Sequence, residues 1–238
     1  LGTVTAACLA FLGHEVVALD RNEETVARLK EGEPPLYEPG LADLVVQGMK
    51  RGALRFTTDA REALAGSRVV WITFDTPVDN DDNADVEFVV ERVESLFDDL
   101  AEGTLVLVSS QLPAGSVARL ENTYAARGRK QRVHFAASPE NLRLGRAIEA
   151  FLKPDRVVVG TRTEQARGII SQLLEPLRAP IEWMSVESAE MTKHALNAFL
   201  ATSVAFINEI AGVCERVGAD GRHVARGLKT VARIGTPA

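Results

Sequence analysis

Through the first three-quarters of the chain, short unbroken apolar runs alternate with stretches whose apolar residues recur every three or four positions. The runs at 15–20, 69–74, 105–108, 133–137 and 156–160 lack the in-and-out alternation of a half-exposed strand, which predicts strands covered on both faces. Between them a helical rhythm predicts helices over 4–12, 23–31, 41–50, 86–100 and 116–126, with Gly32 ending the second and a Pro-rich turn over 33–40. Such alternation builds a parallel sheet with helices on both faces. The expected fold class is α/β: a Rossmann-like doubly wound parallel sheet over 1–180, then a mainly helical segment over 181–238.

That second segment is dominated by one helix over about 188–217, roughly 45 Å long at about 1.5 Å per residue. Phe199, Phe206, Ile207 and Ile210 share one side of it, while Glu190, Lys193, Asn197 and Asn208 fall within a narrow arc on the other. The apolar side is more than a lone helix leaves wet, which predicts a homodimer paired through this helix. Packing of the same side on the first domain is the alternative.

Composition narrows the partners. A formal net charge of -6 without a cluster of Lys and Arg argues against nucleic acid, since Arg127, Arg129 and Lys130 make only a short basic loop. No apolar run is read as approaching the length of a membrane span, and no charged-then-apolar leader opens the chain. No membrane partner is therefore expected, and the location expected is cytoplasmic. Cys8 and Cys214 lie far apart in helical patterns and read as small buried hydrophobes. No metal is expected either: the four histidines show no ligand spacing, and the acidic stretch 79–85 has Ala84 and Val90 where a calcium loop needs Gly and Glu. That stretch reads instead as a loop capping the helix near Val86.

Gly2, Thr3 and Val4 open a helix, and Asp20 ends the strand that follows. This is half of a dinucleotide fingerprint whose first glycine, and the strand before it, would precede Leu1. A glycine there lets the backbone approach a pyrophosphate, and the helix amino terminus supplies N–H donors. A carboxylate at the strand end accepts from ribose hydroxyls and repels a 2′-phosphate, favouring NAD over NADP. The plainer alternative is that Asp20 caps the helix beginning near Glu23.

Further along come Tyr37-Glu38-Pro39-Gly40-Leu41, Thr76-Pro77, Ser138-Pro139-Glu140-Asn141-Leu142-Arg143, Pro154-Asp155-Arg156, Glu190 with Lys193 and Asn197, Asn208-Glu209, and Arg233-Ile234-Gly235. In this order they resemble the UDP-glucose/GDP-mannose dehydrogenase family across essentially the whole chain. The resemblance implies oxidation of a nucleotide sugar's 6-hydroxymethyl group to a carboxylate by two NAD, through an aldehyde and a cysteine-bound thioester. It implies that Glu140 assists the water and proton steps, that Lys193 stabilises negative charge on the reacting oxygen, and that Asn197 is its hydrogen-bonding companion. The resemblance further implies that Arg21, Thr76, Pro77, Ser110 and Gln111 join Gly2, Thr3, Val4 and Asp20 around the cofactor, that Leu142 contacts substrate, and that Arg233 reaches a sugar in the neighbouring subunit.

The family's nucleophilic cysteine lies beyond Arg233-Ile234-Gly235, so residues 1–238 alone are expected to be inactive. The family pattern is departed from at Thr5, Thr25, Gln111 and Leu144. Two other readings stay open. A β-hydroxyacid dehydrogenase also joins a Rossmann domain to a Lys-x-x-x-Asn helix, though it lacks the motifs at 37–41 and 154–156. A non-catalytic dinucleotide-binding or dimerisation module is the other.

Overall fold

The computed structural model describes residues 1–81, 83–128, 131–140 and 142–231. In chain order the elements are α1 (Gly2–Phe11), β1 (Val16–Leu19), α2 (Glu23–Lys30), α3 (Leu41–Lys50), β2 (Leu54–Thr57), α4 (Ala60–Leu64), β3 (Val69–Ile72), α5 (Val86–Glu94), β4 (Leu105–Val108) and α6 (Ser116–Ala126). They continue with β5 (His134–Ala137), α7 (Ala147–Leu152), β6 (Val157–Thr161), α8 (Glu164–Leu174), β7 (Ile181–Met184), α9 (Val186–Val217) and α10 (Gly221–Lys229). The α/β architecture agrees with the sequence.

The strands form two sheets. β1 pairs with β2 in parallel, and a five-stranded sheet runs β3-β4-β5-β6-β7. All its pairings are parallel except β5 with β6, which joins through Ala136–Thr161 and Ala137–Gly160. β1 and β3 line one cavity of about 980 Å³.

β4 explains why the strand runs are unbroken. All of its residues are buried, and they alternate between two cores. Val106 and Val108 pack with Val93, Phe97 and Leu120 on one face, while Leu105 and Leu107 pack with Ile170 and Leu174 on the other. Covering both faces leaves no position for a polar residue. A third cluster holds Val4 and Cys8 of α1, Leu41 and Val45 of α3, Leu54 and Phe56 of β2, and Ala147 of α7.

Several boundaries differ from expectation. The helix expected over 86–100 stops at Glu94, where the Ser95 hydroxyl donates to the Arg92 carbonyl at 2.7 Å; a 3-10 turn, Phe97–Asp99, follows. The sequence pattern does not single out β2, α4, α7, α8, β7 or α10. Asp85 caps α5 as expected, accepting from the Phe88 N–H at 3.0 Å.

The chain divides into two compact units, Leu1–Met191 and Thr192–Ala238, each described by itself. In the first, Glu190 departs from the polar stripe expected of it: it is buried, and its carboxylate accepts from the N–H groups of Gly115 (2.7 Å) and Val117 (2.9 Å). In the second, Phe199 and Phe206 are exposed, and Ile207 and Ile210 are half-buried. A stretch of α9 has a mean hydropathy of 1.4, so by length and composition alone it is apolar enough to cross a membrane. The expectation that no run approaches that length is thereby corrected: isolated Asn and Ser residues interrupt the apolar runs without lowering the average enough.

Gly160 fixes how closely β6 meets the first turn of α9. A Cβ there would stand 2.6 Å from Val186 Cα and 2.7 Å from Ser185 O, both backbone atoms that cannot swing aside. Gly160→Ala is expected to cost about 1–3 kcal/mol in a denaturant melt. Gly168→Ala, in α8 where a Cβ meets nothing within 4 Å, is expected to stabilise by about 0.5–1 kcal/mol.

Candidate functional site

The first hydrogen bond within α1 runs from Thr5 N to Leu1 O at 3.1 Å, so the N–H groups of Gly2, Thr3 and Val4 have no acceptor inside the helix. Leu1 offers no side-chain cap. The Val4 side chain is buried in the core. At Gly2 a Cβ would stand 2.7 Å from Thr73 Oγ1, so glycine lets α1 meet the end of β3 closely. The cavity beside β1 and β3 takes in Gly2, Thr3, Asp20, Thr73 and Asp75.

Asp20 follows β1, its N–H donating to the Thr57 carbonyl at 3.1 Å. The reading of Asp20 as a helix cap is corrected: Asn22 is the cap of α2, accepting from Thr25 N, while Asp20 accepts from Asn22 N at 2.9 Å. The Asp20 side chain is exposed at the cavity. The Arg21 guanidinium donates to the Ser95 hydroxyl.

A second group gathers where β3, β4 and β5 end. These strands are parallel, so their carboxyl ends share one edge of the sheet, which is where ligands bind in open α/β folds. The Thr76 hydroxyl donates to the Gln111 carbonyl at 2.8 Å, joining the loops after β3 and β4, and the Pro77 carbonyl accepts from Asp85 N at 2.8 Å. Trp71 Nε1 donates to Ser109 Oγ at 2.7 Å, and that hydroxyl donates to the Ser138 carbonyl at 2.5 Å. Ser138 Oγ in turn donates to Val158 O at 3.1 Å. This relay fixes the strand ends from which Ser110 and Glu140 project. Ser110 Oγ is buried with no hydrogen-bond partner among the described residues.

Glu140 is half-buried and accepts from Leu142 N at 2.5 Å. Leu142 packs its side chain against the cluster of α1, α3 and α7. Lys193 and Asn197 belong to the second unit, one turn apart on α9, the former half-buried and the latter exposed. Arg233 and Asn141 lie outside the described residues. Among the described residues no group of His, Cys, Asp or Glu could hold a metal.

Thr73, the Ser109 relay and the roles of Glu38 and Glu190 have no signature in the sequence. Glu38 and Glu190 were noted within motifs, but their partners are more than seventy residues away in the chain.

A glycine at the close approach of α1, unpaired N–H groups, a carboxylate at the strand end and an unpartnered buried hydroxyl at the sheet edge fit a dinucleotide. Together with the α/β fold they define the class: a dinucleotide-binding domain. Residues 1–178 match the NAD binding domain of the UDP-glucose/GDP-mannose dehydrogenase family, and residues 187–238 match its central domain. The chain belongs to that family. It is 39% identical, over 99% of its length, to a UDP-glucose 6-dehydrogenase of Pseudomonas aeruginosa, of which it covers 54%. A UDP-glucose dehydrogenase structure from Pyrobaculum islandicum superposes with a TM-score of 0.89 at 34% identity, covering 98% of this chain and 55% of that one. A ternary complex of GDP-mannose dehydrogenase from Pseudomonas aeruginosa gives 0.88 at 31%, covering 95% and 54%. The chain spans about half the length of the curated relatives it matches.

Burial, and secondarily the charge of Glu38, push the Cys8 thiol up to about 12. A thiol held neutral in the fold but ionising near 9.0 when unfolded gives stability that is present below 9.0 and lost as pH rises towards 12. Native Cys8 is therefore expected to resist alkylation at pH 8 until denaturant is added. Cys8→Ala should flatten the fall in melting temperature across that alkaline window; an unchanged slope would refute the assignment.

Proposed function

We propose that the protein containing this chain oxidises the 6-hydroxymethyl group of a nucleotide sugar of the UDP-glucose type to the carboxylate. The reading is carried by Asp20 and the open amino terminus of α1 at one cavity, in a chain so similar along its whole length to a UDP-glucose 6-dehydrogenase. Bound NAD supplies the hydride acceptor, used twice per sugar. Gly2, Thr3 and Val4 offer backbone N–H groups to its pyrophosphate, and Asp20 takes the adenosine ribose hydroxyls. Thr76, Pro77, Ser110 and Gln111 line the nicotinamide side at the sheet edge, and Arg21 flanks the adenosine.

Glu140 handles the water and proton steps, Lys193 holds developing negative charge on the reacting oxygen, and Asn197 adds a hydrogen bond to it. Leu142 bounds the substrate through its backbone, and Arg233 reaches the sugar of a neighbouring copy. The long trough between β1 and β3 supports one further strand there, joining the two sheets of a domain that runs to about residue 180 and leaving the end of the cavity at Gly2, Thr3, Asp20 and Thr73 to the cofactor.

The product of the complete gene is expected to form NADH with UDP-glucose, tested beside GDP-mannose and UDP-N-acetyl sugars, whereas residues 1–238 alone give none. Both cysteines of this stretch are buried in helices, so neither can capture an aldehyde. Turnover by residues 1–238, or inactivity of the complete protein on every sugar, would contradict the proposal. Asp20→Ala is expected to narrow the preference for NAD over NADP by about tenfold, or about 1.4 kcal/mol. Equal binding of both cofactors by the wild type would defeat the assignment of Asp20.

We also propose a homodimer through α9. Phe199, Ser203, Phe206, Ile210, Val213 and Val217 repeat at alternating spacings of three and four, the pattern of a helix seam. Phe199 is 69% exposed and Val217 70%. Lys193, Glu209, Glu215 and Arg216 on the same helix favour protein over lipid as the cover, in keeping with a cytoplasmic location. Light scattering at micromolar concentration is expected to give twice the chain mass, and Phe206→Glu to give monomer; a monomeric wild type would refute the pairing.

A further inference from the structure

Glu38 is placed by its own motif. Pro39 holds the preceding residue extended. Gly40, at φ 81°, turns the chain into α3, and Leu41 N closes the turn on Glu38 O at 3.1 Å. Leu41 is fully buried, so this turn is anchored in the core. With its backbone fixed, the Glu38 side chain runs inward and is itself only 5% exposed.

Its carboxylate meets a segment more than a hundred residues away. One oxygen accepts from Gly145 N at 2.6 Å, and the other accepts from Ala147 N at 2.8 Å and Ile148 N at 3.4 Å. Ala147 and Ile148 carry the first N–H groups of α7, and Gly145 stands just before its cap residue Arg146, which makes no side-chain cap bond of its own. Glu38 therefore takes the place of the missing cap. It also holds Gly145 at φ 86°, a conformation that glycine adopts without strain.

The segment so held begins at the candidate centre. At one end the Glu140 carboxylate accepts from Leu142 N; at the other, Gly145, Ala147 and Ile148 are bonded to Glu38. Leu142, Ile148 and Ala147 pack in the same cluster as Val4 and Cys8 of α1. The placement of Leu142 N, and through it the direction of the Glu140 carboxylate, thus depends on where Glu38 pins the far end.

We propose that Glu38 is a positioning residue for sugar oxidation: by taking the N–H groups of Gly145, Ala147 and Ile148 it fixes residues 142–148 and so aims Glu140 and Leu142 at the sugar. This rests on the proposed reading of Glu140 and Leu142. Among the described residues no hydrogen bond joins Glu38 to the cofactor edge, formed by α1 and the ends of β1, β3 and β4; its influence there is the charge felt at Cys8.

The test uses the complete gene product with Glu38→Gln, which keeps the shape but turns one acceptor oxygen into an N–H donor facing an N–H. Peptides spanning 142–148 are expected to exchange amide hydrogens about tenfold faster, with exchange elsewhere unchanged. The KM for UDP-glucose should rise about tenfold while the KM for NAD stays within about twofold. A merely structural role would lower the melting temperature and the yield of active enzyme, or weaken both substrates together, without this split. Glu38→Asp keeps both oxygens on a shorter arm and should recover part of the lost sugar affinity. Unchanged exchange over 142–148, or an unchanged KM for UDP-glucose, overturns the proposal. An inactive wild type would instead count against the underlying reading of the sugar site, and the exchange data would still decide whether Glu38 holds the segment.

Discussion

The amino-terminal N–H groups of α6 and α7 lie against the body of the molecule, where each donor left unpaired costs about 1–3 kcal/mol. Neither helix supplies its own cap: α6 starts from Gly115 and α7 from Arg146, and neither makes a side-chain cap bond. Two buried carboxylates from distant parts of the chain complete them, Glu190 at Gly115 and Val117, and Glu38 at Gly145, Ala147 and Ile148. Each bond is charge-assisted, and each places a negative charge at the positive end of a helix. The same two contacts tie the first turns of α9 to α6 and the α3 turn to α7. The order of the sheet's carboxyl edge rests on these ties.

Against these completed termini, that of α1 stands open. Its first N–H groups have neither an acceptor within the helix nor a side chain from Leu1, and Gly2 and Thr3 border the cavity shared with Asp20. A helix start beside a glycine suits an anion such as the pyrophosphate of the proposed cofactor. The serine relay through Ser109 and Ser138 serves the same edge by fixing the ends of β4 and β5. What results is a rigid sheet edge with donors already in place, the condition for electrostatic work on a bound substrate.

Much of this could be read from sequence, for physical reasons. β4 reads as a strand because its four residues serve two cores at once, and α9 reads as a helix because its length far exceeds what a sheet connection needs. Asp20 could be placed at a strand end by counting from Gly2. β2 does not stand out because the exposed Arg55 breaks its apolar run, and α7 has too few residues to show a period. Helix α5 was overextended because local rhythm cannot register the Ser95 hydroxyl turning back onto the Arg92 carbonyl. Glu190 was assigned to a polar stripe by its position on the wheel, yet its carboxylate is spent on α6. The spacing of Lys193 and Asn197 followed from the helix alone. The functions of Glu38 and Glu190 could not, because a long-range bond leaves no mark on either partner's neighbours in sequence.

The claim that α1 and Asp20 form the cofactor site is tested most directly by a crystal structure of the complete protein with NAD. The account predicts the pyrophosphate against the N–H groups of Gly2, Thr3 and Val4, with the adenosine ribose hydroxyls on the Asp20 carboxylate. NAD bound elsewhere, or with its pyrophosphate away from the amino terminus of α1, would contradict it.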